Sequence, residues 1–131
     1  NKVFGVKYNK EFNELFAVEY NSKPTLISKT EWGLRDKLMI EELDEYYDAC
    51  EQGDLVEVAD ALGDMLYILC GTILAHGMQY KIKEVFDEIH RSNLSKLEDG
   101  KVLRRADGKV LKGKNYFKPN IKAILDENIR D

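Results

Sequence analysis

Residues 54–76, Asp54-LVEVADALGDMLYILCGTILA-His76, decide the fold. Asp54-Leu-Val-Glu57 is a capping-box pattern: an acidic N-cap residue followed three positions later by Glu. The residues after it are apolar nearly all round, from Leu55 and Val56 through Ile73 and Leu74, and Gly77 follows as a stop signal. A helix of this composition belongs in the middle of a helical bundle. Yet it carries Glu57, Asp60 and Asp64, spaced by three and four so that they share one face. An acid on an apolar helix needs a reason, because an unpaired buried carboxylate costs several kcal/mol or titrates to its neutral form.

The segment before it repeats the theme. Ser28-Lys-Thr-Glu31 is a second capping box and opens a helix to about Gln52, with Gly53 suited to the C′ position. This helix carries Glu41-Glu42-Leu-Asp-Glu45, an EExxE pattern whose outer residues lie four apart and whose inner pair lies three apart. The short turn at Gly53 makes the two helices antiparallel neighbours, so Glu42 and Glu45 can face Asp60 and Asp64. Asp44, Asp48 and Glu51 read as a solvated face, Asp54 as the N-cap, and Glu57 also fits the third position of its own capping box. A hard divalent cation resolves the conflict. All-oxygen ligation is what Mg²⁺ prefers, with Mn²⁺ as a substitute.

A first helix is expected over about 9–20, with Asn9 as N-cap and Phe12, Leu15, Phe16 and Tyr20 along one side. A fourth is expected over about 81–96 with Ile82, Val85, Phe86 and Ile89 as its buried stripe. Beyond it, Asp99-Gly-Lys-Val-Leu103 and Asp107-Gly-Lys-Val-Leu111 are near-identical units with turn signals, giving a small hairpin or two successive turns. Pro119 then opens a short terminal helix over about 120–129. Strands do not alternate with helices, so a parallel α/β sheet is excluded. The expected fold is all-α: an antiparallel bundle of about four core helices, completed by oligomerisation as a homodimer or homotetramer. A Lys-rich C-terminal turn segment follows. At 131 residues the chain fits a single domain, 1–131, with a helical core over about 9–97 and a basic tail over about 98–131.

The formal net charge of −4 conceals a segregation. Residues 41–64 hold ten acids and no base, whereas 91–122 hold ten bases against three acids. A uniformly basic nucleic-acid binder is therefore disfavoured. Cys50 and Cys70, the only cysteines, show no CxxC spacing, so a disulfide framework or structural zinc site is not expected and the cytoplasm is the default compartment. The longest uncharged run, Met65 to Tyr80, is short and interrupted for a membrane span. A di-iron carboxylate bundle needs Glu-x-x-His units that this chain lacks, and neither a phosphate-binding glycine loop nor a nucleophilic triad is recognisable.

The two carboxylate motifs on consecutive helices, EELDE and EVADALGDMLYIL, resemble the EExxE…ExxD signature of the all-α nucleoside triphosphate pyrophosphatases, the MazG-like and phosphoribosyl-ATP pyrophosphohydrolase-like group. The run IHRSNLSKLEDGK…ADGKVLKGKNYFKPNI is similar to the tail of that group's members, so the resemblance covers roughly 8–125. It implies Mg²⁺-dependent hydrolysis of a nucleoside triphosphate to the monophosphate and pyrophosphate. The tail leans toward housecleaning of deoxynucleotide pools, and phosphoribosyl-ATP hydrolysis is the alternative. Carried onto this chain, it implies Glu42, Glu45, Asp60 and Asp64 as metal ligands, with Glu57 behind them because Ala61 stands at the aligned Glu position. Glu41 or Glu45 would orient or deprotonate the attacking water. Arg91, Lys96, Lys109, Lys112 and Lys114, with Asn93, are candidates for holding the phosphates. Phe12, Phe16 and Tyr116 are candidates for the base, although Phe12 and Phe16 also fit a helical core stripe. A non-catalytic helical scaffold, docking a basic partner on the acidic face, is the reading from a different class.

Overall fold

The computed structural model describes residues 4–127. Five helices occur in it and no strands: α1 (Val6–Leu15), α2 (Lys29–Gln52), α3 (Leu55–Ala75), α4 (Ile82–Leu94) and α5 (Ile121–Asp126). This all-α content, with four substantial helices, agrees with the expected helical bundle. The chain divides into two compact units, one ending at Tyr80 and the other beginning at Lys81.

In the first unit, the local caps decide where α2 and α3 begin and end. Ser28 Oγ accepts from the Glu31 backbone N–H at 3.3 Å, and Asp54 Oδ1 accepts from the Glu57 N–H at 3.2 Å. Each satisfies one of the four donors that a helix start leaves orphaned. Between them Gly53 adopts φ 65°, and the N–H groups of Gly53 and Asp54 bond back to the Cys50 and Ala49 carbonyls at 3.1 Å. That closure turns the chain within two residues and lays α3 back along α2.

The first helix is displaced from its expected position. It begins at Val6 and ends at Leu15, and Asn9 is no cap but a buried residue within it, donating through Nδ2 to the Tyr67 carbonyl at 2.8 Å. Val6 packs with Cys70 and Leu74 of α3, with Tyr20 against them, so α1 is positioned by α3 and not by a local start signal. The connection from α1 to α2 is tied to the end of α3. Asn21 donates to the Leu74 and Ala75 carbonyls, the Thr25 N–H donates to the His76 carbonyl, and Gln79 Nε2 donates to the Asn21 carbonyl.

By length and composition α3 would suffice to cross a membrane. Its acids and its packing against α1 and α2 are those of a core helix. It is nonetheless far less covered than expected for the middle of a bundle, since 22% of its most apolar stretch is buried. Leu62, Leu66 and Leu69 of α3 remain exposed, as do Leu34, Ile40 and Leu43 of α2.

In the second unit, the tail folds onto α4. Ser92 Oγ donates to the Phe117 carbonyl at 2.8 Å, Ser95 Oγ accepts from the Phe117 N–H at 3.1 Å, and Glu88 accepts from the Asn120 N–H at 2.8 Å. Both Asp-Gly units turn the chain. Glu98 and Lys101 exchange backbone bonds around Asp99 and Gly100, both at positive φ, as a two-residue turn of the primed type requires. Arg104 and Val110 bridge around the second unit. On α4 the expected stripe is only half realised: Ile82 and Val85 are half-buried, but Phe86, 68% exposed, and Ile89 are not. Phe86 lies two positions before Glu88, about 200° round the helix from the side chain that receives the Asn120 N–H, and so faces away from the side that the tail covers.

Gly77 provides a sharp test of the first unit. It sits at φ 67°, and a Cβ there would lie 2.0 Å from the Lys23 carbonyl oxygen, which is backbone and cannot swing aside. Gly77→Ala is expected to cost about 2 kcal/mol or more in urea unfolding. A loss below about 0.5 kcal/mol would show that the loop is not held as described.

Candidate metal centre

Two aligned helices bring three carboxylates to one point. Oxygens of Glu42 and Glu45 from α2 and Asp64 from α3 all lie within 4.8 Å of one another. Seven residues, two helical turns, before Glu42 on the same face stands Arg35, which bridges to α3. Its Nε donates to Thr72 Oγ1 at 3.1 Å and its Nη2 to the Ile68 carbonyl at 3.0 Å. Half-buried there, the guanidinium is pulled below its ordinary pKa by desolvation. Arg35 therefore sets the register of α2 on α3 without neutralising the acids. The sequence reading missed it; its signal was a base at i−7 from Glu42, on the helix face turned to α3.

The cluster is electrostatically frustrated. Glu42 Oε2 is buried with no hydrogen-bond partner. Burial raises the Glu42 carboxyl first, a hydrogen bond to Glu45 second, and the charges of Glu45, Asp64 and Asp60 add to these, so that its pKa rises to about 7. Asp64 is also raised, by burial and then by the charges of Asp60 and Glu45. These shifts mark a site whose ionised form lacks a counter-charge.

The other candidate residues are placed differently. Asp60 lies outside the three-way contact but acts on it through its charge. Glu41 is exposed and not part of the cluster. Glu57 sits in the first turn of α3, where its backbone N–H meets the Asp54 cap, and it is not part of the cluster either. Phe12 and Phe16 are not the core stripe that their spacing also allowed. They stack on each other with centroids 4.4 Å apart, and Phe12 meets Tyr67 edge-on at 5.9 Å. Phe16 is 66% exposed.

In the second unit, Arg91 is bonded to Glu88 through Nε at 2.8 Å and lies over the Phe117 ring. Lys112 lies over the Tyr116 ring, and Lys114 is within 3.4 Å of Asp99. Asn93 and Lys109 are exposed and Lys96 is half-buried. Both cysteines are free, Cys70 buried and Cys50 exposed.

A family model described as phosphoribosyl-ATP pyrophosphohydrolase matches residues 9–93. The chain belongs to this family. The match spans α2 and α3 with the whole carboxylate cluster, and it identifies a pyrophosphohydrolase acting on a nucleotide-like substrate. No curated protein matches the chain.

The frustration has a measurable consequence. A carboxyl raised in the folded state binds its proton more tightly there than in the unfolded chain, so stability falls as pH rises. In EDTA, the contribution of Glu42 is expected to decline from about pH 4.5, its ordinary value, to about pH 7. Thermal melts at pH 5 and pH 7.5 should show this, and Glu42→Gln should flatten the dependence. An unchanged dependence in the variant would contradict the assignment.

Proposed function

We propose that the chain is a Mg²⁺-dependent nucleoside triphosphate pyrophosphohydrolase, acting on a deoxynucleoside triphosphate in nucleotide-pool housecleaning in the cytoplasm. The observation that supports this is the Glu42–Glu45–Asp64 cluster with its orphaned oxygen. The donor set is all carboxylate, hard and anionic, which fits Mg²⁺, with Mn²⁺ as substitute. Glu42, Glu45 and Asp64 would hold the cation, with Asp60 one turn away on α3 as a further carboxylate, while Glu57 stays with its cap. Bound there, the cation supplies charge neutralisation to the phosphates and acidifies water.

The protein groups do the rest. Glu45, or Glu41 beside it, accepts a proton from the water that attacks the α-phosphorus. The bond to the bridging oxygen breaks, and pyrophosphate leaves with that oxygen. Asn93, Lys96 and Lys109, free of ion pairs among the described residues, are the readiest phosphate contacts. Arg91, Lys112 and Lys114 would exchange their present partners for phosphate, with Tyr116 beside Lys112. Positioning and charge neutralisation provide most of the acceleration.

The uncovered apolar faces of α2 and α3 support a homodimer or homotetramer, because contiguous exposed apolar surface of this kind marks an association site. Light scattering should give a multiple of 15.1 kDa; a monomer at every concentration would remove this part. Phosphoribosyl-ATP hydrolysis is a second reading, favoured by the description of the matching family. One assay separates these readings: pyrophosphate release from dUTP, dCTP, the common NTPs and phosphoribosyl-ATP, with Mg²⁺ or EDTA. Metal-dependent turnover of a triphosphate is expected. Turnover of phosphoribosyl-ATP alone selects the second reading, and none on any substrate leaves the scaffold. Asp64→Asn should lose at least about 100-fold in kcat with its fold retained, the scale of a transition-state charge contact worth roughly 3 kcal/mol.

A further inference from the structure

Glycine in the interior of a helix costs stability relative to alanine, so one that stands there needs a reason. Gly71 lies inside α3 and is not among the glycines at positive φ, so its backbone does not demand glycine. The reason is a close approach. A Cβ on Gly71 would stand 2.6 Å from Arg35 Nη2 and 2.9 Å from Asn9 Oδ1, closer than real Cβ contacts come. The tips of two polar side chains, one from α1 and one from α2, therefore meet over a bare spot on α3. Each is tied to α3 beside that spot: Asn9 to the Tyr67 carbonyl, Arg35 to the Ile68 carbonyl and Thr72 Oγ1. Gly33, inside α2, has nothing within 4 Å of its missing Cβ and serves no such approach.

Apolar side chains would hold three helices together with less loss of hydration, because a half-buried guanidinium gives up water. What directed bonds add is register. The register matters because of where this polar node stands. Arg35 precedes Glu42 by seven residues on α2, and Gly71 follows Asp64 by seven on α3. On antiparallel helices both steps, from node to carboxylates, run the same way. Node and cluster therefore share one contact line, two turns or roughly 10.5 Å apart. The oxygens of Glu42, Glu45 and Asp64 stay within 4.8 Å of one another only while that line is held.

We infer that Asn9, Arg35 and Gly71 form a three-helix lock, in which Arg35 is the positioning residue for the metal-binding carboxylates and Gly71 is the gap that admits it. The inference deepens the proposed metal-dependent hydrolysis and rests on that reading for the cation.

Charge alone predicts the opposite sign. A positive group two turns from the site disfavours a bound divalent cation, so an Arg35 that acted only through its charge would be replaced by Met with a gain in metal affinity. A positioning Arg35 is replaced with a loss.

The test uses the full chain and Mn²⁺ alone, followed by the electron paramagnetic resonance signal of the free ion. Gly71→Ala and Arg35→Met should each weaken Mn²⁺ binding about tenfold, as loss of a group that orients metal ligands from behind does. The double variant should bind no more weakly than either single one, because Gly71 acts through Arg35. Arg35→Lys, which keeps the charge and loses the fork, should resemble Arg35→Met. Gly33→Ala should bind as the parent chain does. Circular dichroism checks that each variant is folded; if Gly71→Ala is not, the two Arg35 variants decide. In EDTA, the amide NMR signals of Glu42, Glu45 and Asp64 should shift in Gly71→Ala and Arg35→Met but not in Gly33→Ala. Unchanged or tighter Mn²⁺ binding in folded Arg35→Met, or losses that add in the double variant, would overturn the inference. If the parent chain binds no Mn²⁺, the metal reading fails, and the amide shifts still decide whether the node holds the carboxylates.

Discussion

The structure depends on a conflict between burial and charge at the contact of α2 with α3. Three carboxylates converge on one point of an apolar helix pair, and one oxygen, Glu42 Oε2, is shut away from both solvent and any donor. Neither helix supplies a base at that point. Arg35, two turns away, spends its donors on Thr72 and the Ile68 carbonyl. A native chain tolerates such an arrangement when something else supplies the positive charge, and the raised Glu42 and Asp64 carboxyls measure how far the protein alone falls short.

Much of the remaining architecture serves to keep that contact in register. The Ser28 and Asp54 caps fix the starts of the two helices, and Gly53 turns the chain between them. Arg35 prevents α2 from sliding on α3, and the Asn21, Thr25 and Gln79 bonds clamp the preceding loop to the end of α3. A slip of one residue would rotate Glu42 by about 100° away from Asp64. The apolar residues left bare on α2 and α3, Leu34, Ile40 and Leu43 on one and Leu62, Leu66 and Leu69 on the other, are not covered by α1 or by the loops.

What could be read in the sequence was what local chemistry decides. The capping boxes, the glycine turn and the i, i+3 and i, i+4 spacing of acids act within a few residues, and α2, α3 and their facing carboxylates followed from them. The start of α1 did not, because it is set by Val6 packing on Cys70 and Leu74 and by Asn9 reaching Tyr67, contacts across about sixty residues of chain. Asn9 looked like a cap because Asn favours both roles. That one chain would leave part of α3 uncovered was legible, because the helix is apolar nearly all round; which of its residues stay bare, Leu62, Leu66 and Leu69 among them, was not, since that depends on where α1 and α2 pack. Arg35 was overlooked because it lies in a helix that was read for its acids and its apolar stripe.

The central claim is that the cluster is completed by a divalent cation. Its most direct test is the carboxyl titration of Glu42 followed by carbon-13 NMR, with Glu42→Gln used to assign the signal. Without metal the midpoint should lie near pH 7, and saturating Mg²⁺ should return it to the ordinary carboxylate range. A midpoint near pH 4.5 without metal, or one near pH 7 that Mg²⁺ does not move, would contradict the account.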